Sequence, residues 1–390
     1  MIPYGKHYID EDDIQAVVNV LKSGILTQGP IIEKFEKEIA QYVGARYAVA
    51  VSSGTAALHL AAIVAGVRPG NTLITSPITF VASANAGMYT GGNIAFADID
   101  PLTLNMSPES LKLELEKNPT TKAIVPVHFA GLPCDMLAIK NLANEVDAVV
   151  IEDAAHALGA SYPDGSLVGC CANSLMTTFS FHPVKAIASG EGGMITTNDE
   201  QVYRKLLRLR SHGINKLDDP FVEVLQSQTN GEPNPWYYEM QELGFHYRIT
   251  DIQCALALSQ FKKINTFVSY RRKLVKRYDE AFAALQNCQI AQSKGRSESG
   301  HHLYVIRIDF NKIRQSRSHL MLALSKRDIG TQVHYIPVSA HPYYRKHGYL
   351  PEDTPNALRY YQQALSIPLF YSLTNEMQEH VIEAIQELVG

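Results

Sequence analysis

Three short stretches carry side chains whose types and positions suit chemistry. In "FSFHPVKAIASGEGGMITTND" (179–199), Lys185 stands between a strand-like run and a glycine-rich turn, with Ser180 just upstream. A lysine in a partly desolvated pocket has a lowered proton affinity and attacks carbonyls to form a Schiff base. On a surface loop the same residue is only a solvated cation. In "VVIEDAAHALGA" (149–160), apolar residues deliver Glu152 and Asp153 to a strand end. A carboxylate buried there needs a cationic partner, unless it caps the next helix or pairs with a distant arginine. In "VSSGTAALHLAA" (51–62), a strand ends in Ser-Ser-Gly-Thr and a helix begins at once. Free N–H groups, hydroxyls and the positive end of a helix dipole then converge as they do around a phosphate, although Ser and Thr are also ordinary N-caps.

Together the three stretches ask for one ligand that has a phosphate, an aldehyde and a ring nitrogen to be kept protonated. Pyridoxal 5′-phosphate has all three, and a lysine Schiff base with an acidic partner at the ring nitrogen is its recurring protein environment.

The elements that must position these groups are legible as a rhythm. "YAVAVSS" (47–53), "NTLITSP" (71–77), "IAFADID" (94–100), "AIVPVHF" (123–129), "AVVIEDA" (148–154), "LMTTFSF" (175–181) and "GGMITTN" (192–198) are β-rich runs bounded by Gly, Pro, Asn or Asp. Helical patterns such as "TAALHLAAIVAG" and "PESLKLELEKN" lie between several of them. This alternation predicts an α/β fold with a mostly parallel sheet covered by helices on both faces. The last two runs are too close for an intervening helix, so part of the sheet is expected to be antiparallel. Ligands of such sheets bind beyond the carboxyl ends of the strands, which is where the three stretches fall. Residues 217–236 read as a long irregular surface loop, and 250–285 as long helix. The remainder, with "HLYVIRIDF", "IGTQVHYIPV" and a closing helix, fits a smaller α/β domain. The expected organisation is a large ligand-binding domain over 1–250, including an N-terminal arm, and a small C-terminal domain over 251–390.

Composition excludes several classes. A net charge of −4 over 390 residues leaves no basic excess for nucleic acid or a membrane surface. No export signal or run of about 18 apolar residues is found, so a cytoplasmic setting without membrane contact is expected. The five cysteines (134, 170, 171, 254, 288) contain no CxxC and read as buried thiols, not as a disulfide framework or metal site.

The order of phosphate cradle, Asp and Ser-x-x-x-x-Lys, spaced by about 100 and 30 residues, resembles the DegT/DnrJ/EryC1 family of sugar-nucleotide aminotransferases. The likeness runs along the chain through "GILTQGP" (24–30), "SSGTAAL" (52–58), "SPITFVASANA" (76–86), "EDAAHALGA" (152–160), "FSFHPVKAIASGEGG" (179–193), "RSHGI" (210–214), "YRITDIQCALALSQ" (247–260) and "QVHYIPV" (332–338). The resemblance implies aminotransferase fold type I, pyridoxal phosphate as cofactor and a homodimer with shared active sites. It implies that Lys185 holds the cofactor and moves the proton, and that Asp153 pairs with the ring nitrogen. Ser53, Gly54, Thr55 and Ser180 would bind the phosphate, Phe80 would cover the ring, and His156 would lie near its phenolic oxygen. The partner subunit of the family supplies an Asn just before Tyr-Arg; "GFHYRIT" has His246 there, a departure at that contact. Dehydrating relatives carry His where Lys185 stands, which argues against that branch.

Within the family, "FSFHPVK" with "GEGG", "ILTQGP", and "QVHYIPV" with "HPYY" most resemble the branch of pseudaminic acid biosynthesis. That branch uses glutamate, released as 2-oxoglutarate, to aminate C4 of a UDP-linked 4-keto-6-deoxy-L-hexosamine, giving UDP-4-amino-4,6-dideoxy-N-acetyl-β-L-altrosamine. Tyr4, Leu26, Thr27 and Gln28 would then help to bind the UDP-sugar. Another keto-sugar nucleotide, aminated at C3 or C4, and a cofactor-binding sensor without turnover are the competing readings. A purely structural protein on this scaffold would not need both Lys185 and Asp153.

Overall fold

The structure, a computed structural model, describes residues 1–216 and 220–390. The apolar runs form a seven-stranded sheet of β1 (Tyr47–Val51), β2 (Thr72–Thr75), β3 (Asn93–Phe96), β4 (Thr121–Val125), β5 (Val149–Asp153), β6 (Met176–Ser180) and β7 (Gly193–Thr197), in the order β1-β7-β6-β5-β4-β2-β3. The α/β class and the mainly parallel sheet are as expected. The antiparallel strand is β7, which opposes both β1 and β6; the connection from Ser180 to Gly193 holds no crossover helix, and only an antiparallel return can be that short. The carboxyl ends of β1 to β6 therefore share one edge, to which β7 brings its amino end.

Helices α2 (Pro30–Val43), α3 (Gly54–Val64) and α4 (Ala82–Tyr89) cover this sheet, while α1 (Glu11–Ser23) packs outside them on the helix Asp251–Phe261. Successive strand residues alternate between faces. Ala48, Ala50, Ile74 and Met194 meet Phe35 and Ile39 of α2, whereas Val49, Val51, Leu73 and Ile195 meet Leu58, Leu60 and Ala61 of α3. Ala56 to Ala62 are all buried, because α3 is apolar on every side and must be enclosed.

The long helix expected over 250–285 is two helices, Asp251–Phe261 and Ile264–Phe282. Neither glycine nor proline marks the break. The Lys263 amide instead takes a tighter bond to the Gln260 carbonyl, and its ammonium is tied to Asp10 and Asp13 at 2.5 and 3.0 Å. The first piece packs beside α2 through Cys254, Ala257 and Phe261. The later turns of the second pack through Leu274, Tyr278 and Phe282 onto a three-stranded antiparallel sheet of Cys288–Ile290, Tyr304–Ile308 and Ala364–Ile367. Asn375–Val389 closes the chain as expected.

Two stretches differ from expectation. "IGTQVHYIPV" is not a strand of the small sheet and makes only single bridges, Ile329 to Ile2 and Gln332 to Ser366. Of the stretch 217–236, residues 217–219 lie outside the described residues, and the rest is ordered as a helical turn, Val224–Ser227, and a ribbon pairing Gln228–Thr229 with Glu232–Pro233. Asn230 and Gly231 supply the positive φ values, 53° and 83°, of a tight hairpin turn.

The N-terminal arm is held by the C-terminal part of the chain. Ile2 exchanges backbone bonds with Asp328 and Gly330, and Leu369 donates its N–H to the Tyr4 carbonyl at 3.0 Å. The five cysteines are free, with Cys170 half-buried and the others buried. No helix of the described residues is long and apolar enough to cross a membrane.

Candidate active site

A cavity of about 450 Å³ opens at the carboxyl edge of the sheet, and Tyr4, Ser53, Gly54, Thr55, Phe80, Asp153, His156, Ser180 and Lys185 all line it. Residues from distant stretches of the chain thus meet at one place.

At one end, Ser53 is the N-cap of α3, its hydroxyl accepting the Ala56 N–H at 3.1 Å. The capping reading is therefore true, and the same turn also faces the cavity. Glycine is required twice here. A Cβ on Gly54 would lie 2.9 Å from the Ser180 Cβ, and one on Gly193 would lie 2.4 Å from the Ser53 carbonyl oxygen. This close approach brings the start of α3 and the end of β6 around a common concavity suited to a phosphate.

Asp153, only 5% exposed, is the last residue of β5. Its Oδ1 accepts the Ala155 N–H at 3.1 Å, and its Oδ2 accepts the Ser83 hydroxyl at 2.6 Å. The neighbouring Glu152 points to the opposite face, because side chains alternate along a strand. There Glu152 accepts from His128 Nε2 at 2.7 Å, Ser174 at 2.5 Å, Thr177 at 3.1 Å and the Tyr162 hydroxyl. Burial pushes its carboxyl up, but the His128 bond and charge, with the other donors, hold it below the usual range. Glu152 is a structural anion and does not face the cavity. Its replacement by alanine should cost about 3–5 kcal/mol in chemical denaturation by orphaning the buried His128. An unchanged unfolding midpoint would refute this.

Lys185 is half-buried in the turn after β6. Burial lowers its ammonium from an ordinary 10.5 to about 8, against the opposing pull of Asp153. The imidazole of His156 is held well below its usual range by burial, with the charges of Lys185 and His334 adding to the effect. Its Nδ1 accepts the Ala130 N–H at 3.3 Å, which leaves the proton on Nε2 to be donated to the Tyr335 hydroxyl at 3.2 Å. Phe80 is 60% exposed at the mouth. The Tyr4 ring lies 5.2 Å from that of His334.

The structure also places residues that were not singled out from the sequence. Ser83, Thr79, His302, His334 and Tyr335 belong to the same site. Ser83 and Thr79 lie in "SPITFVASANA" and His334 and Tyr335 in "QVHYIPV", so the motifs held them, but which way each side chain turns is not readable from a motif.

Four expected site residues do not reach the cavity. Leu26, Thr27 and Gln28 are exposed; Thr27 bridges to Thr250, and Gln28 lines a separate groove with Arg208, Arg210 and Arg248. His246 is also exposed, bridged through its backbone to Ser211, with its ring 3.1 Å from the Arg248 guanidinium.

An anion cradle at a helix start, a buried carboxylate at the floor and an amine of lowered basicity on the wall fit pyridoxal phosphate. Comparison with known proteins agrees. The family model of the DegT/DnrJ/EryC1/StrS aminotransferase family matches residues 7–386. The chain is 41% identical to the spore coat polysaccharide biosynthesis protein SpsC of Bacillus subtilis, over 100% of this chain and 97% of that one. Among solved structures it is similar to Spr1654 of Streptococcus pneumoniae in its PMP form, with a TM-score of 0.89 and 28% identity, covering 100% of this chain and 99% of the other. It is also similar to Helicobacter pylori PseC, an aminotransferase involved in the biosynthesis of pseudoaminic acid, with a TM-score of 0.87 and 28% identity over 100% and 99% of the two chains.

Proposed function

The chain belongs to the DegT/DnrJ/EryC1/StrS aminotransferase family, whose members are pyridoxal-phosphate-dependent sugar aminotransferases, and from that premise we propose that it moves the amino group of glutamate to C4 of a UDP-linked 4-keto-6-deoxy-L-hexosamine. The observation that carries the chemistry is the juxtaposition of Lys185, Asp153 and the start of α3 in one cavity. When bound, pyridoxal phosphate supplies a carbonyl that exchanges the amino group and a ring that accepts the electron pair left by a departing proton.

The residues of the chain do the rest. Ser53, Gly54, Thr55 and Ser180 would hold the phosphate at the dipole of α3. Asp153 would offer its carboxylate to the ring nitrogen, and Phe80 would cover a ring face. His156, neutral and donating through Nε2 to Tyr335, would lie near the phenolic oxygen. Lys185, with an amine basicity near 8, would take a proton from the substrate carbon at Nζ and return it to the carbonyl carbon of the cofactor, a task that needs a base near neutrality at working pH. Tyr4, delivered by the arm, faces the substrate side of the cavity.

The substrate reading is supported by the motif likeness and the full-length similarity to PseC. SpsC is the more similar in sequence, 41% against 28%. That favours a second reading, a different keto-sugar nucleotide destined for a coat polysaccharide. Purified protein carrying pyridoxal phosphate should lose its visible absorbance with glutamate and regain it with the UDP-linked 4-keto-6-deoxy-L-hexosamine. Recovery only with another keto-sugar would move the assignment to the second reading, and no response to glutamate would remove the aminotransferase assignment.

The exposed positions of Leu26, Thr27, Gln28 and His246 fit a homodimer in which each protomer completes the cavity of the other. Mixing separately inactive Lys185→Ala and His246→Ala chains under exchange should then restore activity, since one cavity of each mixed dimer carries neither change. Activity no greater than the sum of the two alone would rule out shared sites.

A further inference from the structure

The buried hydroxyls beneath the cavity have no part in the scheme above. Thr79 and Ser83 are 3% and 0% exposed, at the turn into α4 and within its first turn. Their oxygens are 2.7 Å apart, and Ser83 Oγ is 2.6 Å from Asp153 Oδ2. The directions of these bonds follow from proton counting. A carboxylate only accepts, so the single proton of Ser83 goes to Asp153, in preference to the Phe80 carbonyl at 3.4 Å. Ser83 Oγ is then left to accept, and Thr79 donates to it. The result is a two-hydroxyl chain polarised towards the carboxylate, enclosed where such bonds strengthen one another.

We propose that Ser83, backed by Thr79, is a positioning residue for the reaction: it fixes Asp153 Oδ2 and steadies its charge, so that the proton shared with the cofactor stays on the ring nitrogen. The inference rests on the pyridoxal phosphate reading of the cavity. Two donors, Ser83 on Oδ2 and the Ala155 N–H on Oδ1, hold the carboxylate plane from both sides. Each oxygen keeps a lone pair for the cofactor. Without the Ser83 hydroxyl, Asp153 can rotate about its side-chain bonds and competes better for the shared proton, so the ring becomes a weaker electron sink. A hydrogen bond to a charged group is among the stronger kind, and nothing else among the described side chains donates to Oδ2.

The test compares wild type with Ser83→Ala, Ser83→Thr and Thr79→Val, each loaded with pyridoxal phosphate. Ser83→Ala should lower kcat by about tenfold with little change in the KM for glutamate, weaken cofactor binding by about tenfold, and shift the absorption maximum of the bound cofactor. Thr79→Val should move the same quantities in the same direction by less. Ser83→Thr, which keeps the hydroxyl, should restore the absorption maximum. Wild-type spectrum, affinity and kcat in both Ser83→Ala and Thr79→Val, even with lower thermal stability, would reduce the pair to packing and overturn the proposal. If wild-type protein itself showed no Lys185-dependent visible band, the reading of the cavity would fall, and this proposal with it; a normal wild-type band with an indifferent Ser83→Ala overturns the proposal alone.

Discussion

Replacing Lys185 by alanine is expected to reduce turnover by about four orders of magnitude or more, since in the proposed reaction one amine both holds the cofactor and carries the proton. The visible band of the bound cofactor should vanish in the same variant. The structure adds an expectation about cofactor-free protein. The Lys185 ammonium titrates at about 8 in the folded chain against an ordinary 10.5, so between those values the unfolded chain binds more protons than the folded one. Stability therefore rises with pH across that window, and the cost of burying the cation is fully present below about 8. Lys185→Ala removes that cost. The cofactor-free variant should unfold at a higher temperature than wild type at pH 7, and the difference should narrow as the pH rises. Capture of pyridoxal phosphate by wild type should also accelerate as the pH climbs through about 8, because only the neutral amine attacks a carbonyl. Full activity in Lys185→Ala would remove the residue from the mechanism, and pH-independent capture would contradict its burial.

The second large effect is expected at Asp153. Asparagine has nearly the same volume, and its carbonyl oxygen can still accept from Ser83 or the Ala155 N–H, so the fold should survive with little change in unfolding midpoint. What disappears is a full negative charge in an almost closed site, where an electrostatic interaction is worth far more than in water. The step that removes a proton from the substrate should slow by about two to three orders of magnitude, comparable to the loss of one preorganised group in other enzymes. Single-turnover absorbance after glutamate addition isolates that step. Rates near wild type would mean that some other group faces the ring nitrogen, and would also undercut the role assigned to Ser83. The contrasting behaviour expected of the adjacent Glu152 sharpens the comparison: Glu152→Ala should cost stability, Asp153→Asn catalysis, although the two carboxylates are consecutive in the chain.

That pair of neighbours shows where local pattern stops being informative. The run "VVIED" placed both carboxylates at a strand end, and alternation put them on opposite faces. Which face is the cavity and which is a sealed polar network depended on what packs there. His128, Tyr162 and Ser174 meet Glu152, while Ser83, from another strand–helix unit, meets Asp153. The helix break at Lys262 and Lys263 is similar, since its partners Asp10 and Asp13 come from the opposite end of the chain. The hairpin within 220–236, by contrast, carries a local signal that the reading of 217–236 as an irregular loop passed over, because Asn-Gly is a turn signal in itself.

By itself the sequence determined the strand and helix rhythm, the mostly parallel sheet with one reversed strand, and the three strand-end stretches that carry Ser53–Thr55, Asp153 and Lys185. These follow from period, short-range spacing and the geometry of strand-to-helix turns, all of which act over a few residues. Tertiary structure alone decided that residues 328–330 and 369 clamp the arm so that Tyr4 reaches the cavity, that Tyr335 holds His156, that Ser83 and Thr79 stand behind Asp153, and that Leu26–Gln28 and His246 face away from the cavity. Those outcomes depend on how separate elements pack and in which register, an energy shared among contacts remote in sequence and invisible to any local window.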